Sequence, residues 1–154
     1  MSLNLAEKQA VVAEVAEVAA RSHSLIAAEY RGITVARLTN LRVKALENGV
    51  YLRVVKNTLA RRAVQGTDFE CISPSLVGPL VLAFSEEDPG AAARVFKEFL
   101  KEKDNDKLIV KALAFGGQLL GPQDLDALAS MPTRDQAISL LMAVMKAPLD
   151  KFAR

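Results

Sequence analysis

An α+β fold follows from three observations on the sequence. Short β-branched apolar runs alternate with stripes of apolar residues at helical spacing, glycine or proline punctuates nearly every junction, and the order reads helix, strand, helix, strand, helix, strand, helix, strand, then two helices. At 154 residues and 51% hydrophobic composition, the chain suits one compact body with a helical appendage.

Residues 6–21 carry Val11, Val15 and Val18 on one helical face, and Asn4 followed by Glu7 is a capping-box pattern. Lys8 falls in the first turn, where a cation works against the helix dipole, so an external anion is its natural partner. Residues 25–30 read as the first strand, stopped by Arg31-Gly32. Thr34 caps a second helix running to Asn48, with Val35, Leu38, Leu41, Ala45 and Leu46 inward, Arg37, Asn40 and Lys44 outward, and Gly49 as the stop.

Val50, Leu52, Val54 and Val55 make a second strand, and a helix begins directly after Lys56, at Asn57 or Thr58. Leu59, Ala60, Ala63 and Val64 share one face of it; Thr58, Arg61, Arg62 and Gln65 share the other, and Gly66 closes it. Residues 80–84 form a third strand. Asp88-Pro89 opens a helix with Val95, Phe96, Phe99 and Leu100 buried and Arg94, Lys97 and Lys101 solvated. Asp104-Asn105-Asp106 is a turn, and residues 108–115 are a fourth strand ended by Gly116-Gly117. One short helix follows Gly121-Pro122. The last follows Pro132 with a Thr133/Gln136 capping box, is apolar on more than one face, is expected to pack on two sides, and is stopped by Pro148.

A right-handed crossover makes the first two strands parallel, and Arg31-Gly32 and Lys56-Asn57 then lie on the same sheet edge. The pattern suits a split βαβ, ferredoxin-like four-stranded sheet with helices packed on it, an extra N-terminal helix and C-terminal helices; a doubly wound parallel sheet satisfies the same order. Residues 1–132 read as the globular body and 133–154 as a C-terminal helical region.

Charge is distributed unevenly. Residues 1–66 have a net charge of +5 and residues 67–154 of −3, and between Arg31 and Arg62 eight cations face the single acid Glu47. That window attracts a polyanion. Unpaired N–H groups at a helix start, with Lys56, Asn57 and the arginines one turn on, form a seat for phosphate; a merely solvated basic face is the competing reading. Tyr30 and Tyr51 are the only aromatics in the window and tryptophan is absent, so contacts go to phosphate and shape, and folded RNA is preferred over duplex DNA.

No cofactor is expected, no catalytic residue is nominated and no metal site is assembled. The glycine-rich phosphate loops, the serine elbow and H-E-x-x-H are all unmatched, and Glu86-Glu87 complement a helix start. The single Cys71 reads as a core thiol in a reducing compartment, the single His23 as structural or surface. No apolar run approaches the roughly 18 residues of a membrane span, and the start lacks the pattern of an export signal, so no membrane is expected and the cytoplasm is the expected location.

Tyr30-Arg31-Gly32-Ile33-Thr34, Val54-Val55-Lys56-Asn57-Thr58-Leu59 with Arg61-Arg62-Ala63, Val77-Gly78-Pro79 and Pro89-Gly90-Ala91-Ala92-Ala93-Arg94 together resemble the bacterial ribosomal stalk-base protein, the L-ten family. The resemblance spans the chain in order. It implies a globular domain docked on large-subunit rRNA beside the neighbouring ribosomal protein L-eleven, and a C-terminal helix carrying dimers of the acidic stalk protein that recruit translational GTPases. The rRNA-binding roles fall on Arg31, Gly32, Lys56, Asn57, Thr58, Arg61 and Arg62, with Arg53, Arg37 and Lys8 behind them. The family's stalk-binding helix extends well past Pro148, so the expected helix here is shortened. Two rival readings are an autogenous translational repressor binding its own mRNA and a small α+β enzyme holding a phosphorylated metabolite at Lys56.

Overall fold

The computed structural model describes residues 4–101 and 108–152; the turn expected at Asp104-Asn105-Asp106 lies outside them. The elements in order are α1 (Leu5–Arg21), β1 (Ser24–Glu29), α2 (Val35–Glu47), β2 (Val50–Val54), α3 (Asn57–Val64), a 3-10 segment (Glu70–Ser75), β3 (Leu80–Ser85), α4 (Ala91–Lys101), β4 (Ile109–Phe115), β5 (Gln118–Leu120), a 3-10 turn (Pro122–Asp124), α5 (Leu125–Ala129) and α6 (Arg134–Phe152).

The sheet order is β2-β3-β1-β4-β5. β3 pairs antiparallel with both β1 and β2, which makes those two parallel to each other with β3 inserted between them: the split βαβ arrangement, and not a doubly wound parallel sheet. A fifth strand joins the four expected. Gly116 and Gly117, with φ of 55° and 80°, form a two-residue turn that only residues tolerant of positive φ favour, so the chain folds back to pair Phe115 with Gln118 instead of leaving the sheet.

Alternation along the strands divides the core into two layers. Ile26, Ala28, Val81, Ala83 and Leu113 face Leu41 and Ala45 of α2, Val95, Phe96 and Phe99 of α4, and Leu125 and Leu128 of α5. Leu25, Ala27, Leu82, Phe84 and Ala112 face Val15 and Val18 of α1, Leu59, Ala60, Ala63 and Val64 of α3, and Phe69 and Ile72, with Cys71 half-buried at the margin. The apolar face expected for α3 is thus fully used.

Two side chains expected inward on α2 are not. Val35 and Leu46 are 78% and 81% exposed, because only the stripe through Leu41 and Ala45 faces the sheet. Asp88-Pro89 does not open α4; Asp88 instead accepts the Gly90 N–H at 3.1 Å in a turn, and the helix begins at Ala91. The buried Ser85 Oγ accepts the Ala92 N–H at 3.1 Å and the buried Ser24 Oγ donates to the Pro89 carbonyl at 2.7 Å, so two satisfied hydroxyls set that start. Arg94 and Lys97, expected in solvent, pair with Asp88 and Asp126. The Lys97 ammonium holds the Asp126 carboxyl below its ordinary range.

The largest departure is α6. Its Thr133/Gln136 capping box forms, with the Thr133 N–H donating to Gln136 at 3.2 Å. The helix then runs through Pro148 to Phe152, so the expected stop is not made there. Nor does it pack on two sides: Ile138, Leu141, Met142, Val144 and Met145 are all exposed.

Candidate nucleic-acid interface

Strand directions place the C-terminal ends of β1 and β2 and the N-terminal end of β3 on one rim, since Glu29 pairs with Leu80 and Val54 with Val81. Three loops meet there: Tyr30 to Thr34, Val55-Lys56, and Val77-Gly78-Pro79. They enclose a shallow hollow of about 400 Å³ lined by Tyr30, Lys56, Asn57, Thr58, Gly78 and Pro79. The Tyr30 N–H donates to the Pro79 carbonyl at 3.3 Å, and the Asn57 side-chain amide donates to the Gly78 carbonyl at 2.9 Å, so each basic bend is tied to the third loop. Gly32 turns the first bend with φ of 84°, a conformation a side chain would strain. Arg31, Lys56 and Thr58 are exposed, and Thr34 and Lys56 hold the N-cap positions of α2 and α3.

The remaining nominated residues are distributed differently. Arg61, though exposed, is tied down along the surface, donating to the carbonyls of Ser73 at 3.3 Å and Leu76 at 2.8 Å; it fixes the approach to the third loop. Its neighbour Arg62 is exposed and lines a groove with Lys8, between the first turns of α1 and the start of α3. Arg53 forms an ion pair with Glu14 of α1 and donates to the Tyr51 hydroxyl at 2.8 Å, which in turn donates to Glu14 at 2.8 Å. The Arg53 hydrogen bond lowers the Glu14 carboxyl and Glu14 raises the Arg53 guanidinium, whereas burial raises the Tyr51 phenol. This trio locks α1 to β2 and occupies the head group of Arg53. Arg37 sits on α2, across the sheet from Lys8 and Arg62.

Sequence reasoning left out the Val77-Gly78-Pro79 loop as a wall of the site. Its signal is Gly78-Pro79, a turn directly before a strand, and the hydrogen bonds from Tyr30 and Asn57 explain why the loop belongs to the rim.

A catalytic reading needs reacting groups aimed into the hollow; this one is lined by the one cation Lys56, the Asn57 amide and the hydroxyl-bearing Tyr30 and Thr58 beside apolar walls. Three bound loops around a basic edge, with a helix whose large apolar side chains are exposed among the described residues, define a scaffold that other molecules hold in an assembly. The family described as ribosomal protein L10 matches residues 3–101, and the ribosomal protein uL10 C-terminal region matches residues 131–154. Large ribosomal subunit protein uL10 of Thioalkalivibrio sulfidiphilus is 70% identical over the whole chain, which covers 86% of that relative. Those of Methylococcus capsulatus and Alcanivorax borkumensis are 64% and 60% identical, again over the whole chain and covering 87% and 86% of each. The chain belongs to the uL10 family of large-subunit ribosomal proteins. It is a structural, non-enzymatic constituent of the ribosome.

Proposed function

We propose that the rim docks this chain on large-subunit rRNA at the base of the stalk, and that α6 anchors the acidic stalk proteins that recruit translational GTPases. The observation that carries the first half is the convergence of Tyr30, Lys56, Asn57 and Gly78 on one hollow. Arg31, Lys56 and the start of α3 supply positive charge and N–H donors to successive phosphates, with Gly32 and Asn57 fixing the bends and Arg62 and Lys8 extending the track. Arg61, Arg53 and Arg37 contribute less directly: the first two through the shape of the rim, the third from the other face.

The second half rests on α6, whose Ile138, Leu140, Leu141, Met142, Val144 and Met145 are all exposed; an uncovered apolar surface of that extent marks a place for a partner. Residues 1–132 then act as the rRNA-binding body and 133–154 as the stalk-binding region. Ribosomal protein L-eleven is the expected neighbour and the cytoplasm the place of assembly. A salt titration tests the rRNA reading: four to six phosphate contacts give a log–log slope of roughly −3 to −4, and a flat slope contradicts it.

A further inference from the structure

The groove between α1 and α3 has a composition the phosphate track does not explain. Its walls are Leu5, Val12, Ala13 and Leu59, its volume is about 290 Å³, and Lys8, Gln9 and Arg62 stand around it. Leu5 is 72% exposed, an open apolar wall between two cations. Among the described residues neither Lys8 nor Arg62 has an acid within 4 Å; Glu7 accepts the Asn4 N–H at 2.8 Å and Glu14 pairs with Arg53. The groove adjoins the rim, because Thr58 on the rim and Arg62 in the groove are successive residues on one face of α3.

We infer that this groove receives one unstacked base of the bound RNA, with Lys8 and Arg62 taking the flanking phosphates and Gln9 reading the base edge. The inference rests on the rRNA reading above and adds a base-selective subsite to it. A phosphate track alone discriminates poorly between RNAs, since it reads charge and spacing. An extruded base presents flat apolar faces and a polar edge. The Leu5, Val12 and Leu59 walls take the faces, the Arg62 guanidinium is a plane on which a base stacks, and the Gln9 amide offers both a donor and an acceptor. A free apolar ligand has no use for two unpaired cations, and a bare phosphate has none for the apolar walls; a nucleotide uses both.

The test uses the full chain and two probes: a large-subunit rRNA transcript and an unrelated structured RNA of equal length. Ala13→Leu fills the groove at an exposed helical position, where leucine is well tolerated. It is expected to weaken rRNA binding about tenfold while leaving the unrelated RNA unchanged. Gln9→Ala is expected to lose about threefold on rRNA alone. Lys56→Ala, on the rim, is expected to weaken both RNAs together. If Ala13→Leu binds rRNA like wild type while Lys56→Ala does not, the groove is not a base site and the rRNA reading stands. If Lys56→Ala also binds like wild type, the rRNA reading itself fails. Intact rRNA affinity of Ala13→Leu, together with loss of a neighbouring protein from assembled subunits, would assign the groove to protein and overturn the inference.

Discussion

α3 and α6 are both rich in apolar residues on paper, and the protein treats them oppositely. In α3 every large apolar side chain lies under the sheet, and the polar half at the rim is left with Thr58 and Arg62. In α6 the apolar residues outnumber what one face can hold, and Ile138 at 48% and Met145 at 70% exposure show that the body covers neither. A helix whose hydrophobicity its own fold consumes serves as a platform. One whose hydrophobicity is left over fits the attachment role proposed for it, and the methionines in it suit an adaptable contact.

The comparison is broken most severely in the core. Phe96→Ala in α4 removes a fully buried ring and is expected to cost about 3–5 kcal/mol in denaturant unfolding, whereas Leu141→Ala in α6 is expected to change stability by less than about 0.5 kcal/mol. The same Leu141→Ala is expected to weaken capture of the acidic stalk protein; normal capture would mean that the exposed helix is not the attachment point.

Next in size is the pair Arg61 and Arg62. Arg61→Ala removes two hydrogen bonds to loop carbonyls and is expected to cost roughly 1 kcal/mol of stability, read by thermal unfolding. Arg62→Ala is expected to leave stability unchanged and to reduce the salt slope of RNA binding by about 0.7 to 1. Equal stability effects from the two would remove the distinction between a tie and a contact.

The smallest effect is acid sensitivity. The folded Glu14 carboxyl sits below its ordinary value, so its pair with Arg53 contributes fully above the unfolded value and is lost as pH falls through the lowered one. Glu14→Gln is therefore expected to lower stability slightly at neutral pH, to converge with the wild type in acid, and so to flatten the acid limb of a stability–pH curve.

What the sequence announced, and what it concealed, follows from how local each signal is. Strand–turn–helix junctions at Arg31-Gly32 and Lys56-Asn57 are read from a few adjacent residues, and parallel β1 and β2 then force both bends to one rim. The placement of Lys56 and Asn57 beside Tyr30 was therefore legible. The roles of Arg61 and Arg53 were not, because their partners at Leu76 and Glu14 are distant in sequence and a basic residue looks the same whether it faces solvent or a carbonyl. Gly116-Gly117 has the look of a strand stop in sequence but is a hairpin turn, since β5 is only three residues long and has no pattern of its own. Spacing alone puts Leu46 in the core, though the sheet covers a narrower arc of α2 than its apolar residues occupy.

The measurement that bears most directly on the rim is a hydroxyl-radical footprint of the full chain on large-subunit rRNA, compared with the footprint of the Lys56→Ala, Arg62→Ala double variant. The account predicts one compact protected region for the wild type and its loss or marked weakening in the variant, with the fold intact by circular dichroism. An identical footprint from both proteins would contradict it.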